Sequence, residues 1–178
     1  YFDISGASVY ELAKEAAGLG IDMLVMDDGW FGKRDDDNSG LGDWTVNETK
    51  LGEPLGSLIE KIRSLGLKFG IWLEPEGINE DSDLYREHPD WVLSIPGRNP
   101  VRARNQLVLD FSRREVVDYI FEKVCSVLDQ GKIEYVKWDM NRSLSDCFSR
   151  STADQGKVMH DYILGLYDFL ERLIQRYP

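Results

Sequence analysis

Three strand-length apolar runs in this chain each end in charged residues, and that coincidence narrows the fold more than any other feature. Ile21-Asp22-Met23-Leu24-Val25-Met26 runs into Asp27-Asp28-Gly29-Trp30, and Leu67-Lys68-Phe69-Gly70-Ile71-Trp72-Leu73 into Glu74-Pro75-Glu76. Ile133-Glu134-Tyr135-Val136 runs into Lys137-Trp138-Asp139-Met140-Asn141-Arg142. Between them the apolar residues fall at helical spacing: Val9, Leu12, Ala13 and Ala16; then Leu55, Leu58, Ile59 and Ile62; then Val116, Val117, Ile120 and Val124. A last helix is expected over residues 156–176 and a short one over 80–88. Trp91-Val92-Leu93 and Gln106-Leu107-Val108-Leu109 read as two paired short strands flanking an Arg-rich loop.

Near-continuous apolar strands alternating with amphipathic helices predict an α/β fold with a parallel, helix-covered sheet. A doubly wound sheet would want a glycine-rich phosphate turn after its first strand, and no G-x-G-x-x-G is present. Polar residues gathered at the C-terminal strand ends instead match a (β/α)8 TIM barrel, whose active sites collect there. A whole barrel takes about 250 residues, so the 178 residues here predict part of one.

The formal charge of −11 argues against nucleic acid or an anionic membrane as partner, because both select a basic face. No apolar run approaches the roughly 20 residues of a transmembrane helix. Two cysteines, Cys125 and Cys147, imply no disulfide framework, and Cys125 falls at a core position of a helix. The chain opens Tyr1-Phe2-Asp3 without Met, and no signal peptide is visible. Asn47-Glu48-Thr49 and Asn141-Arg142-Ser143 match the glycosylation sequon, and both read as chance matches.

The strand ends carry the chemistry. Asp139 leaves its strand beside Lys137, Asn141 and Arg142, and a carboxylate there is costly to bury unless paired. A capping Asp at the start of a helix is the plainer alternative. Asp27 and Asp28 reach one site only if the chain turns, which Gly29 permits. Such a pair can hold a metal, act as acid and base, or accept hydrogen bonds from sugar hydroxyls. The run Arg34-Asp35-Asp36-Asp37-Asn38-Ser39-Gly40 opens like a calcium loop but has Val46 where the bidentate Glu belongs, so it reads as a solvated loop. The two histidines, His88 and His160, match no zinc spacing, and no metal site is expected. Trp30, Trp44, Trp72 and Trp138 near the strand exits suggest either a sugar-stacking rim or plain packing. Glu74 and Glu76, around a rigid Pro75, read as structural support.

Five blocks, in order along the whole chain, resemble the catalytic barrel of the family 36 α-galactosidases: Asp27-Asp28-Gly29-Trp30-Phe31-Gly32, Leu41-Gly42-Asp43-Trp44, Gly70-Ile71-Trp72-Leu73-Glu74-Pro75-Glu76, Arg104-Asn105-Gln106-Leu107-Val108-Leu109-Asp110, and Lys137-Trp138-Asp139-Met140-Asn141-Arg142. The resemblance implies that Asp139 is the nucleophile of a retaining glycosidase. It implies that Asp27 and Asp28 hold the 4- and 6-hydroxyls of galactose, that Trp72 lines the pocket, and that Arg104 and Lys137 contact ring hydroxyls. Asn141 would support the nucleophile. The implied reaction is hydrolysis of terminal α-linked galactose from melibiose- or raffinose-type oligosaccharides by double displacement, with no cofactor. Lys137 lies two residues from Asp139, so on a strand both face the same way, and the cation favours the ionised carboxylate.

The same resemblance sets expectations about extent. The chain corresponds to roughly the strand 2 to helix 4/5 portion of one catalytic domain, residues 1–178. The general acid/base, the N-terminal β-sandwich, the rest of the barrel and the C-terminal β-domain are expected outside it, which would leave the isolated chain inactive. A cytoplasmic location and a tetrameric full-length protein are further expectations from the family. Two other readings stay open: an α-N-acetylgalactosaminidase, and a galactose-binding module without catalysis.

Overall fold

The computed structural model describes residues 2–178. Helix α1 (Gly6–Gly18) leads to strand β1 (Met23–Met26), then α2 (Glu48–Leu51), α3 (Leu55–Ser64) and β2 (Lys68–Leu73). Strand β3 (Gly77–Asn79), α4 (Asp83–Glu87), β4 (Gln106–Val108) and α5 (Arg114–Leu128) follow, then β5 (Tyr135–Trp138) and α6 (Val158–Arg176). Among the described residues β1, β2 and β5 form one sheet in that order, every neighbour parallel. β3 and β4 form a separate antiparallel pair. The architecture is thus α/β, with the three parallel strands and the longer helices where the periodicity placed them. The short α2 had no periodic signal; it is capped by Asn47, whose Oδ1 accepts from Lys50 N at 2.9 Å.

One expected pairing is corrected. Residues 91–93 meet 106–109 only through a single bridge between Val92 and Leu109, and the full partner of β4 is β3. Pro89 supplies the reason. Its fixed φ starts a 3-10 turn that runs through Trp91, leaving Val92 as the first extended residue.

The central strand explains the packing. In β2 every residue after Lys68 is buried, as a strand covered on both faces requires. The α3 stripe of Leu55, Leu58, Ile59 and Ile62 has no exposed surface, and each such side chain contributes about 1.5–3 kcal/mol relative to exposure. Val116, Ile120 and Val124 of α5 are equally closed off, while Phe169 anchors α6. Helix α6 also passes the Phe111 carbonyl so tightly that a Cβ on Gly165 would stand 1.9 Å from its oxygen. Cys125 is a buried free thiol, in the core position expected of it. Among the described residues no helix is long and apolar enough to cross a membrane.

Candidate active site

Parallel register brings the strand ends together. Met26 pairs with Ile71, so one more step sets Asp27 beside Trp72, and Trp72 itself pairs with Lys137. Lys137 Nζ donates to Asp27 Oδ2 at 3.0 Å. Asp139 N continues the ladder by donating to Leu73 O at 3.0 Å. On that extension the Asp139 carboxylate accepts from the Trp72 indole N–H at 3.3 Å, and the Asn141 side chain donates to the Asp139 carbonyl at 3.2 Å.

Burial pushes the Asp139 carboxyl up. Hydrogen bonds from Asn141 and Trp72, with the charges of Lys137 and Arg104 nearby, outweigh it and hold the group below the ordinary carboxylate range. Asp139 is therefore ionised at neutral pH, partly exposed, and pointed at the strand-end rim.

Asp27 and Asp28 diverge as the turn demands. Gly29 takes a φ of 101°, and the Asp27 and Asp28 side chains each accept from the next backbone N–H, at 2.9 and 2.7 Å. Asp27 faces Lys137. Asp28 is buried and gripped by both arms of Arg34, Nε to Oδ1 at 2.9 Å and Nη2 to Oδ2 at 2.7 Å. The expected solvated loop at 34–40 holds for Asp35, Asp36 and Asn38, which are exposed, but is corrected at Arg34, which has no exposed surface and whose Nη1 donates to Ser39 O at 3.0 Å. The two-pronged ion pair between Arg34 and the buried Asp28 draws the loop inward.

Arg104 sits with Asn105 in left-handed backbone, at φ values of 52° and 57°. Its side chain is half exposed, Nη2 lies 3.6 Å from Asp37 Oδ1, and its charge reaches both Glu74 and Asp139. All seven expected site residues thus lie around the C-terminal ends of β1, β2 and β5 and the loop before β4. Arg34 was missed, because nothing local distinguishes one Arg among acidic neighbours from a surface charge.

The aromatic rim resolves toward packing for two of its members. Trp30 and Trp44 have no exposed surface, and Trp30 Nε1 donates to Trp72 O at 3.1 Å. They back Trp72, which is itself almost wholly buried and presents its N–H to Asp139. Glu74 and Glu76 lie beneath the site, also buried. Burial raises Glu74 to about 7 against hydrogen bonds from Asn141 and Gln106 and the charge of Arg104. Burial likewise raises Glu76 to about 7, although the Trp138 N–H donates to it at 2.6 Å.

Comparison with known proteins places the whole chain in one family. The Melibiase family model matches residues 1–178. The bifunctional alpha-galactosidase/sucrose kinase AgaSK of Mediterraneibacter gnavus is 65% identical over 178 residues, covering 100% of this chain and 18% of that protein. Alpha-galactosidase Mel36A of Lactobacillus acidophilus is 51% identical over 180 residues, covering 100% of this chain and 25% of that protein. The crystal structure of a variant of the GH36 alpha-galactosidase AgaA from Geobacillus stearothermophilus, in complex with raffinose, superposes with a TM-score of 0.96 at 46% identity, over 100% of this chain and 25% of that one. The chain thus spans about a quarter or less of the length of these relatives. With the family model matched from the first residue to the last, this chain belongs to the Melibiase family and resembles the family 36 α-galactosidases throughout.

Proposed function

We propose that this chain carries the nucleophile half of a retaining α-galactosidase that removes terminal α-linked galactose from raffinose-type oligosaccharides. The observation that carries the reading is the position of Asp139: ionised, at a strand end, held by Trp72, and within reach of the charges of Lys137 and Arg104. A retaining glycosidase needs that state, because the carboxylate attacks the anomeric carbon as the glycosidic bond breaks. A proton donor about 5–5.5 Å away protonates the leaving oxygen, then activates the water that releases the sugar. Glu74 and Glu76 have raised values but no surface from which to meet a leaving group. We assign the donor, as the family resemblance implies, to a part of the protein outside this chain, and expect the chain alone to be inactive.

The charges of Lys137 and Arg104 act on Asp139 and Asp27 pairs with Lys137, and together with Asp28 they are proposed to supply acceptors and donors for ring hydroxyls. Such groups reject an epimer strongly, because it leaves them unpaired. The parallel sheet, with β1 and β5 each having one neighbour among the described residues, supports a partial (β/α)8 barrel that continues past both edges. Ile133, Tyr135, Val136, Leu170 and Ile174 line an open trough beside β5, as expected where a further strand would pack.

The test is a substrate panel on the full-length protein: aryl α-galactoside, α-N-acetylgalactosaminide and α-glucoside, with the anomer of the first product followed by NMR. Galactoside turnover releasing α-galactose first supports the reading. Preference for the acetamido sugar would move it to an α-N-acetylgalactosaminidase. Release of β-galactose would remove the double displacement, and silence on all three would favour a binding module.

A further inference from the structure

Asn79, the last residue of β3, has no exposed surface, and every polar atom it owns is engaged. Its backbone N–H donates to Leu41 O at 3.0 Å, and its carbonyl accepts from Ser82 Oγ at 2.8 Å. Its side-chain oxygen accepts from Arg34 Nη1 at 3.1 Å and from Leu41 N at 2.9 Å. Its side-chain nitrogen donates to Asp37 O at 3.2 Å and to Asn105 O at 3.0 Å. An amide with two donors and two acceptor sites has nothing left to give.

What those partners do matters more than their number. Arg34 is the residue that grips Asp28. Asn105 is the second residue of the left-handed pair that begins with Arg104. Two successive non-glycine residues at positive φ cost energy and persist only where their surroundings over-determine them. The antiparallel register sets Asn79 opposite Gln106, directly after that pair, so its amide meets the Asn105 carbonyl from a rigid ladder. One side chain therefore joins the loop that orients Asp28 to the turn that orients Arg104.

We infer that Asn79 is a positioning residue for sugar recognition, fixing the Arg34–Asp28 pair and the Arg104 turn as one unit through its side-chain amide. The inference rests on the galactosidase reading above and adds a residue that touches no substrate. Asp in place of Asn isolates one arm. Asn79→Asp keeps the acceptor for Arg34 and Leu41 N but sets a carboxylate oxygen against the carbonyls of Asp37 and Asn105.

The experiment uses the full-length protein that carries this chain, as wild type, Asn79→Asp, Arg104→Ala and the double variant. Kinetics on aryl α-galactoside are paired with amide hydrogen exchange over residues 101–109. The expected result is a KM raised by roughly tenfold or more in Asn79→Asp with kcat changed far less. Exchange in 101–109 should quicken, and Arg104→Ala should add little to Asn79→Asp, as expected of residues acting through one another. Asn79→Ala, which adds no charge, runs the same cycle if the aspartate variant does not fold. Unchanged exchange in 101–109, or strictly multiplicative effects of the two substitutions, would overturn the role while leaving the galactosidase reading in place. A wild type silent on the galactoside would overturn both, and is distinguished by the first assay alone.

Discussion

Lys137 and Asp27 form an ion pair at 3.0 Å across 110 residues of sequence, reaching over the central strand that separates their own. The pair is partly exposed, so its direct contribution to stability is small. Its effect is on placement. It ties the acidic end of β1 to the strand that delivers Asp139, and it holds a cation near the Asp139 carboxylate.

Lys137→Met should therefore alter the pH profile as well as the rate. The Asp139 carboxyl is lifted by burial and held below its ordinary range by hydrogen bonds and the charges of Lys137 and Arg104. Removing one cation raises it. The proposed nucleophilic role of Asp139 requires its ionised form, so the acid limb of kcat/KM should move to higher pH, with a loss of about tenfold to a hundredfold on the plateau. An unmoved limb would mean that Lys137 does not tune the nucleophile.

Arg34→Met should be among the more damaging single changes in this region. It leaves Asp28 buried with no guanidinium, and breaking a buried ion pair from one side costs about 3–5 kcal/mol. Thermal or denaturant unfolding of the full-length protein measures it, and Arg34→Lys should recover only part of the loss because one ammonium cannot grip both oxygens. A change under about 1 kcal/mol would show that Asp28 does not depend on Arg34.

Glu76 carries a pH signature of opposite sign to a salt-bridged acid. Its folded value is about 7 against an ordinary 4.5, mainly through burial. Between those values the folded state binds more protons than the unfolded one, so stability falls as pH rises through that window and levels off above it. Glu76→Gln keeps an acceptor for the Trp138 N–H and removes the titration. The variant should match wild type below about pH 4 and exceed it at pH 8 by up to about 3 kcal/mol. A difference independent of pH would place the effect in packing instead.

The strand ends were legible because apolar runs stopping at charged residues leave a pattern that survives without coordinates. Asp139, Lys137 and the Asp27–Asp28 pair all sit where that pattern put them. Arg34 and Asn79 left none. Their roles depend on partners such as Asp28, Asn105 and each other, up to 45 residues apart, and a lone Arg in an acidic loop looks solvated until those partners are known. Strand β3 was hidden for a related reason, since three residues are too few to show alternation and its pairing with β4 is decided by tertiary position. Trp30 and Trp44 were ambiguous between rim and core because Trp serves both, and only burial separates them.

The central claim is that Asp139 is the nucleophile, and Asp139→Gly in the full-length protein, assayed on aryl α-galactoside with and without azide, tests it most directly. Turnover should fall at least about a thousandfold. Azide should restore part of it by attacking from the face the carboxylate vacated, giving β-galactosyl azide. Turnover surviving within about tenfold of wild type, or rescue yielding the α-azide, would contradict the assignment.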